Sequence, residues 1–419
     1  MGRSLRFCMV TTFYPPYNFG GDGIYIYRLS NELARRGHQV DVIHCVDAYH
    51  VLQPRAPTSD YPNHPGVTLH PLRSGVGWLS PLATHQSGAP LFKAGKIGAI
   101  LGGQAFDVIH FHNISLVGGP KVLRLGDAIK LYTMHEHWLL CPLHVLWKYD
   151  REVCTTKNCV PCMIMARRPP QLWRYTGMLE REVRHVDAFI SPSRFTRDIH
   201  HRLGLNIPIV HIPYFLPRTG VWSGEAPPRA AHADRPYFLF VGRLEKIKGV
   251  QTLLRIFRSY HKADLLIAGE GNYEGALRRM AEGLTHVRFL GRLSFPELRS
   301  LYERALAVIV PSLCYEVFGI IIIEAFSVKT PAIVNDLGAL PEVIEESQGG
   351  FVFRDDSQLV EAMEILRTDP ARRREMGEKG HAAYLEHWTE EPHLARYFGL
   401  IAEIADRRGL DVPIPAGAP

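Results

Sequence analysis

The sequence predicts an α/β protein with two domains, each built from alternating strands and helices. The chain has 419 residues, which is more than one ordinary domain holds. Its hydrophobic and charged fractions, 46% and 21%, are typical of globular proteins. Short apolar runs of strand length alternate with helical patterns in both halves, and a stretch rich in Pro, Gly, Ala and Arg separates the halves.

We place the N-terminal domain at residues 1–215, the linker at 216–236, the second domain at 237–385 and a last helix at 386–410. The strands predicted for the first domain are Leu5–Thr12, Gln39–Cys45, Val67–Leu72, Asp107–His112, Ile129–His135, Ala188–Pro192 and Ile209–Pro213. Its predicted helices include Ile24–Arg36, Leu91–Leu101, Ser115–Leu125 and Gln171–His185. The second domain repeats the alternation, with strands that begin at Tyr237, Asp264, Val287, Leu306, Ala332 and Gly350.

Charge and cysteine content limit the class of protein. The formal net charge of +6 suits an anionic substrate or membrane surface but is too weak and dispersed to indicate nucleic-acid binding. No apolar run reaches the ~18–20 residues that a membrane-spanning helix needs. Seven cysteines cannot all pair, and Cys8 and Cys45 lie in strand-like runs. We therefore expect a reduced, cytoplasmic protein, with peripheral contact at the inner membrane face as an open alternative.

Two features of the first domain suggest ligand contacts. The loop Asn18–Gly23 follows the first strand and holds Gly21 and Gly23, which either contact a phosphate or sugar or only permit a tight turn. This loop lacks the G-x-G-x-x-G spacing of dinucleotide-binding proteins. His112 and His135 each end a predicted strand, the position where open α/β sheets bind ligands. His135 is the better candidate because a polar and aromatic loop follows it.

An irregular insert, residues 141–162, contains four cysteines: Cys141, Cys154, Cys159 and Cys162. Four thiolates suit a structural zinc ion or an iron–sulfur cluster. The spacing is not that of a standard pair of zinc knuckles, so four reduced thiols in an acceptor-side loop are the alternative.

The second domain contains the pattern richest in chemistry. Arg243 and Lys248 follow its first strand, where a guanidinium and an ammonium can neutralise a diphosphate. Glu316 and Glu324 flank a predicted helix start at Gly319, whose backbone amides would face an anion. The two carboxylates can accept hydrogen bonds from sugar and ribose hydroxyls. The sequence therefore predicts a nucleotide-sugar site here.

Several stretches resemble the retaining glycosyltransferases of family four, the group 1 family with the GT-B fold. They include GGDGIYIYRLSNELARRGHQVDVI, FVGRLEKIKGVQTLL, LLIAGEGN and PSLCYEVFGIIIIEAFSVKTPAIVNDLGALPEVI, and they follow the family's order over nearly the whole chain. The resemblance implies two Rossmann-like domains that face a cleft, with the last helix crossing back to the N-terminal domain.

The resemblance also implies roles for single residues. Glu316 would contact the donor sugar, Glu324 the ribose, and Arg243 and Lys248 the leaving diphosphate, while His135 would lie at the reaction centre. The residues expected to line the donor site are Gly21, Gly23, Gly271, Leu293, Phe318, Gly319 and Ile320. Catalysis then needs no metal or other cofactor beyond the nucleotide-sugar donor, because stabilising the departing diphosphate is the main task.

We accordingly expect retaining transfer of a hexosyl-type sugar from a nucleotide-sugar donor to a cell-envelope, polysaccharide or glycolipid acceptor. In such enzymes the donor's own phosphate is thought to take the acceptor proton, so Glu316 is a positioning group and not a nucleophile. The alternatives are a catalytically silent nucleotide-sugar-binding subunit, a sugar-nucleotide epimerase and a two-carboxylate glycoside hydrolase. The predicted diphosphate-binding pair, Arg243 and Lys248, argues against the hydrolase, because a hydrolase of neutral glycosides has no use for it. One residue departs from the family pattern: Lys329 stands where glycine is usual.

Overall fold

The computed structural model describes residues 4–57, 61–218 and 235–412, and the chain within it divides into two compact units. The first unit holds the chain up to Asp150, Cys154–Ile212 and the chain from His393 onward. The second unit holds Arg151–Val153 and Pro213–Pro392. Most of the predicted linker, residues 216–236, lies outside the described residues.

The first unit is organised around a parallel sheet of seven strands. The strands of this part of the chain are β1 (Arg6–Val10), β2 (Gln39–Cys45), β3 (Val67–Leu72), β4 (Val108–Phe111), β5 (Ile129–Thr133), β6 (Trp147–Lys148), β7 (Glu152–Val153), β8 (Ala188–Ser191) and β9 (Ile209–His211). The sheet has the order β3-β2-β1-β4-β5-β8-β9, and β6 and β7 do not belong to it. Its central strands are apolar and buried, as a parallel sheet covered on both faces requires.

Helices connect these strands, but two of the predicted helices do not form as single helices. They are α1 (Gly21–Arg35), α2 (Val46–Leu52), α3 (Leu79–Ser87), α4 (Ala94–Gly103), α5 (Cys159–Met165), α6 (Met178–Glu182) and α7 (Arg194–Arg202), with 3₁₀ turns at Leu91–Lys93, Pro120–Arg124, Leu172–Tyr175 and Val183–His185. The helix predicted at Ser115–Leu125 is wrong, because Gly119 has a φ of +59° and Pro120 can only begin a new turn. The helix predicted at Gln171–His185 is broken by Gly177, which has a φ of +66°.

The second unit contains a six-stranded parallel sheet of order β12-β11-β10-β13-β14-β15. Its strands are β10 (Tyr237–Val241), β11 (Asp264–Ala268), β12 (Val287–Gly291), β13 (Val308–Val310), β14 (Ala332–Asn335) and β15 (Gly350–Phe353). Its helices are α8 (Val250–Phe257), α9 (Glu274–Met280), α10 (Phe295–Arg304), α11 (Ile320–Ser327), α12 (Leu340–Ser347), α13 (Asp356–Thr368) and α14 (Pro370–His387). The chain leaves β10 toward β11 on one side and later returns to β13 on the other. The strand order therefore reverses between β10 and β13.

The last helix, α15 (Glu390–Arg408), joins the first unit from His393 onward. The Tyr397 hydroxyl lies 3.0 Å from His110 Nδ1, and its ring stacks on Phe7 of β1. His393 Nε2 lies 3.0 Å from the Tyr25 hydroxyl of α1. The C-terminal segment thus completes the core of the unit that the N-terminus begins. In the parts of the chain that the structure describes, no helix is both long and apolar enough to cross a membrane.

Candidate nucleotide-sugar site

Five candidate site residues of the second unit lie in the segments that follow parallel strands. Arg243 and Lys248 follow β10, Glu316 follows β13, Gly271 follows β11 and Leu293 follows β12. Because the carboxyl ends of parallel strands share one edge of a sheet, all of these loops lie at that edge. The point where the strand order reverses, between β10 and β13, separates the strands that lead to Lys248 and Glu316.

Lys248 and Glu316 meet across this point. Lys248 Nζ donates to Glu316 Oε1 at 2.6 Å, and the Ser312 hydroxyl donates to the same oxygen at 2.6 Å. Each of the two charged side chains is only 21% exposed. Burial opposes charge on Lys248, but Glu316 outweighs it and the pKa of Lys248 is raised. Burial likewise opposes charge on Glu316, but Lys248 and Ser312 hold its pKa below the usual range. Both groups are therefore ionised at neutral pH.

A glycine allows the Lys248 turn to approach β13. Lys248 ends the 3₁₀ turn Lys246–Lys248, and Gly249 follows with a φ of +76°. A Cβ atom at Gly249 would lie 1.9 Å from the carbonyl oxygen of Pro311. The Leu313 amide donates to the Ile247 carbonyl at 2.8 Å and joins the same turn to the loop after β13. Backbone contacts therefore position Lys248 before any ligand is present.

Arg243 adds a second cation to this edge. Its guanidinium is 48% exposed and lies 2.8 Å from the Glu245 carboxylate. Its positive charge opposes the charge on Lys248 and favours the charge on Glu316. Its own contribution therefore lowers both pKa values, although Glu316 keeps the pKa of Lys248 raised overall. A diphosphate that reached this edge would meet one rigid ammonium and one exposed guanidinium.

The loop after Glu316 ends at the N-terminus of α11. Gly319, with a φ of +156°, is the N-cap residue and Ile320 the first helical residue. A helix start of this kind offers backbone N–H groups and a positive dipole end to an anion. Phe318 does not present its side chain to a ligand, because it is buried against Tyr214 and Trp388. Only the backbone of Phe318 remains available for the predicted role.

Glu324 and Tyr302 form a second pair beneath this edge. Glu324 is buried on α11, and its Oε2 accepts a hydrogen bond of 3.1 Å from the Tyr302 hydroxyl of α10. Tyr302 was not a candidate from the sequence, and neither was Ser312. Ser312 directly follows the predicted strand and so could have been found, whereas nothing in the sequence pairs Tyr302 with Glu324. Elsewhere at the edge, Gly271 is exposed and Leu293 half-buried.

His135 lies within a buried histidine cluster of the first unit. His135 Nε2 is 2.8 Å from His112 Nδ1, so the two predicted strand-end histidines do meet. His110 contacts the His112 ring and lies 2.8 Å from the Thr133 hydroxyl. Burial lowers the pKa of His135 to about 3, so its imidazole is neutral at physiological pH. A neutral imidazole can donate or accept a hydrogen bond but carries no charge.

Gly21 and Gly23 lie inside the first turn of α1 and not in the preceding loop. The helix begins at Gly21, three residues earlier than the sequence predicts. A Cβ atom at Gly23 would lie 2.3 Å from Asn18 Oδ1, so glycine lets the Asn18 side chain fold over the helix start. Asn18 Nδ2 donates to the Gly20 carbonyl at 2.8 Å. These contacts give Gly23 a structural role whether or not the turn binds a ligand.

The four cysteines of the insert line one cavity, together with apolar side chains such as Trp147 and Leu143. All seven cysteines of the chain are free. The Tyr149 amide donates to Cys162 Sγ at 3.4 Å, and the Cys154 thiol donates to the Thr156 carbonyl at 3.4 Å. Within residues 4–57, 61–218 and 235–412, no group of three or more His, Cys, Asp or Glu side chains could hold a metal ion. The four cysteines thus share one cavity without forming a recognisable metal-binding group, and the zinc or iron–sulfur site stays a prediction.

Two family models match adjacent parts of the chain. The model described as Glycosyltransferase Family 4 matches residues 19–219, and the model described as Glycosyl transferases group 1 matches residues 225–383. The chain belongs to the family-four, group 1 glycosyltransferases. The second match contains the Lys248–Glu316 pair and the start of α11, so the edge described above lies in the part that the group 1 model recognises.

Two curated relatives support this assignment over most of the chain. An uncharacterized glycosyltransferase of Methanocaldococcus jannaschii is 28% identical over 366 residues, which cover 83% of this chain and 84% of the relative. The glycogen synthase of Mycobacterium tuberculosis is 28% identical over 401 residues, which cover 88% of this chain and 87% of the relative.

Solved structures show that this glycosyltransferase has the GT-B fold. Sucrose-phosphate synthase from Thermosynechococcus elongatus has a TM-score of 0.74 at 20% identity, covering 96% of this chain and 100% of its own. Anabaena HepE in complex with UDP-glucose has a TM-score of 0.64 at 15% identity, covering 97% of this chain and 99% of its own.

Proposed function

We propose that this glycosyltransferase transfers a hexosyl-type sugar from a nucleotide-sugar donor with retention of configuration. The Lys248–Glu316 pair carries the proposal, because it places an ammonium and a carboxylate together at the ligand-binding edge of a parallel sheet. Lys248 and Arg243 would neutralise the departing diphosphate, and Glu316 would orient the sugar through its hydroxyls. The complex of Anabaena HepE with UDP-glucose supports a donor of this class.

The remaining assignments rest on the family resemblance. We propose that Glu324 accepts from the ribose hydroxyls, which requires Tyr302 to share that carboxylate. The backbone at Phe318, Gly319 and Ile320, together with Gly271 and Leu293, would line the donor. His135, Gly21 and Gly23 would contribute from the first unit, with His135 acting as a neutral hydrogen-bonding group.

The chemistry would need no metal, because Lys248 and Arg243 would neutralise the leaving charge. We expect transfer to continue in EDTA after extensive dialysis. Loss of turnover that Mg²⁺ or Mn²⁺ restores would contradict metal-independent transfer. The anomeric configuration of the product, read by NMR, tests retention, and an inverted product would overturn it.

We propose a cell-envelope, polysaccharide or glycolipid acceptor and a cytoplasmic location. The seven free cysteines support a reducing compartment. The Mycobacterium tuberculosis relative named glycogen synthase supports a polysaccharide acceptor, since similarity extends over most of both chains.

A panel of UDP-, GDP- and ADP-sugars tests the donor class. We expect at least one compound to raise the melting temperature of the wild-type protein, since a ligand that binds only the folded state stabilises it. The same compound should be hydrolysed slowly or transferred to an added glycan. No thermal shift and no turnover with any donor would overturn the proposal. A shift without turnover under every acceptor tested would favour the catalytically silent subunit.

A further inference from the structure

Exposed apolar side chains are concentrated in two stretches of the first unit. Among the described residues, sixteen large hydrophobic side chains are exposed, and twelve of them lie in residues 51–92 or 164–175. Six of them, at α3 and on the turns that pack against it, define the apolar face: Trp78, Leu79, Leu91, Phe92, Leu172 and Tyr175. Trp78, Leu172 and Tyr175 are each more than 60% exposed. Concentration of this kind marks an interaction surface, whereas single exposed apolar residues are ordinary.

Contacts within the unit bring these segments together. The Trp173 indole N–H donates to the His85 carbonyl at 2.9 Å and attaches the turn Leu172–Tyr175 to α3. Buried Lys93 donates to the Ser80 hydroxyl at 3.0 Å and to the Leu116 carbonyl at 3.0 Å. Lys93 thereby holds the turn Leu91–Lys93 against the same helix. The apolar side chains therefore belong to neighbouring elements, all packed against α3.

The two stretches of sequence that hold the apolar face carry charges of one sign. Residues 61–106 and 153–179 contain no aspartate or glutamate, although the chain has 42 acidic residues in 419. The same two stretches contain five exposed basic residues, which are Arg73, Lys96, Lys157, Arg167 and Arg168. Arg168 lies close enough to His85 of α3 to lower the pKa of that histidine, alongside the larger effect of burial. Arg168 thus lies near the helix against which the apolar elements pack.

We propose that this face docks the protein on an anionic lipid bilayer. Apolar side chains would enter the boundary between headgroups and acyl chains, and the basic residues would contact lipid phosphates. Trp and Tyr are favoured at that depth because their rings are amphipathic. Each basic residue near an anionic surface strengthens binding by about fivefold. A symmetric contact between two copies is disfavoured, because it would place basic residues opposite basic residues.

Vesicle flotation of the full chain, without donor or acceptor, tests this proposal separately from the proposed function. Vesicles of phosphatidylcholine alone are compared with vesicles that contain anionic phosphatidylglycerol. We expect binding to the anionic vesicles only, weakened by high salt. No flotation with anionic vesicles would overturn the proposal, whatever the enzymatic activity.

Two double variants separate the apolar and basic contributions. Trp78→Ser/Phe92→Ser and Arg167→Glu/Arg168→Glu should each weaken vesicle binding at least about tenfold. Met280→Ala/Leu385→Ala removes exposed apolar side chains of the second unit and should bind as the wild type does. Circular dichroism melts check that each variant folds. Equal binding by all variants would overturn the assignment of this face, as would a dimer that Trp78→Ser/Phe92→Ser dissociates.

Discussion

Lys248 illustrates how one residue connects fold and proposed chemistry. The turn that holds it is placed by Gly249 and by a backbone bond to the loop after β13, and its charge is stabilised by Glu316. A diphosphate that entered would meet a cation already fixed in position. Such preorganised charge stabilises a transition state without the cost of rearrangement.

Substituting either cation should therefore lower turnover strongly. We expect Lys248→Ala to reduce kcat by about 10²–10³-fold, the usual effect of removing one group that stabilises developing negative charge. Arg243→Ala should act in the same direction. Steady-state kinetics with the donor identified by thermal shift provides the measurement.

Lys262→Ala is the matched control. Lys262 also pairs with a glutamate, Glu364 at 2.8 Å, but it lies just before β11, at the opposite edge of the sheet. Its turnover should stay within about twofold of wild type, because an exposed pair of this kind contributes little. Near-normal turnover in both Lys248→Ala and Arg243→Ala would show that these two cations do not stabilise the leaving diphosphate.

Lys329 adopts the conformation that the usual glycine would adopt. Its φ is +63°, and its side chain reaches the Glu378 carboxylate at 2.9 Å on the surface. A non-glycine residue in this region costs about 1–2 kcal/mol. We expect Lys329→Gly to be more stable than Lys329→Ala by about 1 kcal/mol in urea unfolding, because both lose the ion pair but only glycine relieves the strain.

The same two substitutions at Lys379 should rank in the opposite order. Lys379 has a similar surface pair, with Glu375 at 2.7 Å, but it lies within α14. Glycine in a helix is about 1 kcal/mol less favourable than alanine. If the alanine variant were the more stable one at both positions, the backbone of Lys329 would not be strained.

Some residues of the candidate site are positioned by the strand that they follow, and others by packing against residues distant in sequence. Only the first kind could be predicted from the sequence. Arg243, Lys248 and Glu316 follow strands, and parallel strands end at a common edge, so their proximity was predictable. Phe318 and Glu324 are defined by packing against Trp388 and Tyr302, which are distant in sequence. Periodicity carries no information about such contacts.

At the scale of elements, Gly249 decides how closely the Lys248 turn can approach β13. Gly249→Ala would place a methyl group 1.9 Å from the Pro311 carbonyl oxygen. We expect this substitution to destabilise the protein by more than about 2 kcal/mol, the sum of left-handed strain and steric overlap. Because Lys248 would be displaced, donor-induced thermal shifts should fall as well.

The Gly283→Ala variant separates the cost of left-handed backbone strain from the cost of steric overlap. Gly283 has a φ of +80°, close to that of Gly249, but a Cβ atom there would have no neighbour within 4 Å. Its substitution should cost only the left-handed strain, about 1–2 kcal/mol, and leave donor binding unchanged. The steric argument fails if the two variants lose equal stability.

The elements that sequence patterns predict best are the buried strands. The strand predictions that begin at Tyr237, Asp264 and Ala332 match observed strands, because continuous apolar runs bounded by polar loops are distinctive. Helical patterns were less informative where glycine and proline interrupt them, as at Gly119, Pro120 and Gly177. Helices α2 and α3 were not predicted, and α3 supports the apolar face.

At the scale of the whole molecule, one unit is built from two parts of the chain that are distant in sequence. The first unit contains both β1 and the end of α15, so its core is complete only when the C-terminal segment is in place. Sequence reasoning reached this arrangement through the family resemblance alone. No local pattern in the helix shows which unit it packs against.

Tyr397 tests this dependence directly. Its ring lies 5.5 Å from His110 and 6.2 Å from Phe7, and the residue is buried. Tyr397→Ala should destabilise the first unit by about 3–5 kcal/mol, the usual cost of truncating a buried aromatic residue. Tyr397→Phe, which loses only the hydrogen bond to His110, should cost about 1–2 kcal/mol. Urea unfolding followed by circular dichroism measures both, with exposed Leu410→Ala as the control. Wild-type stability of Tyr397→Ala would show that a helix near the C-terminus does not hold the N-terminal sheet together.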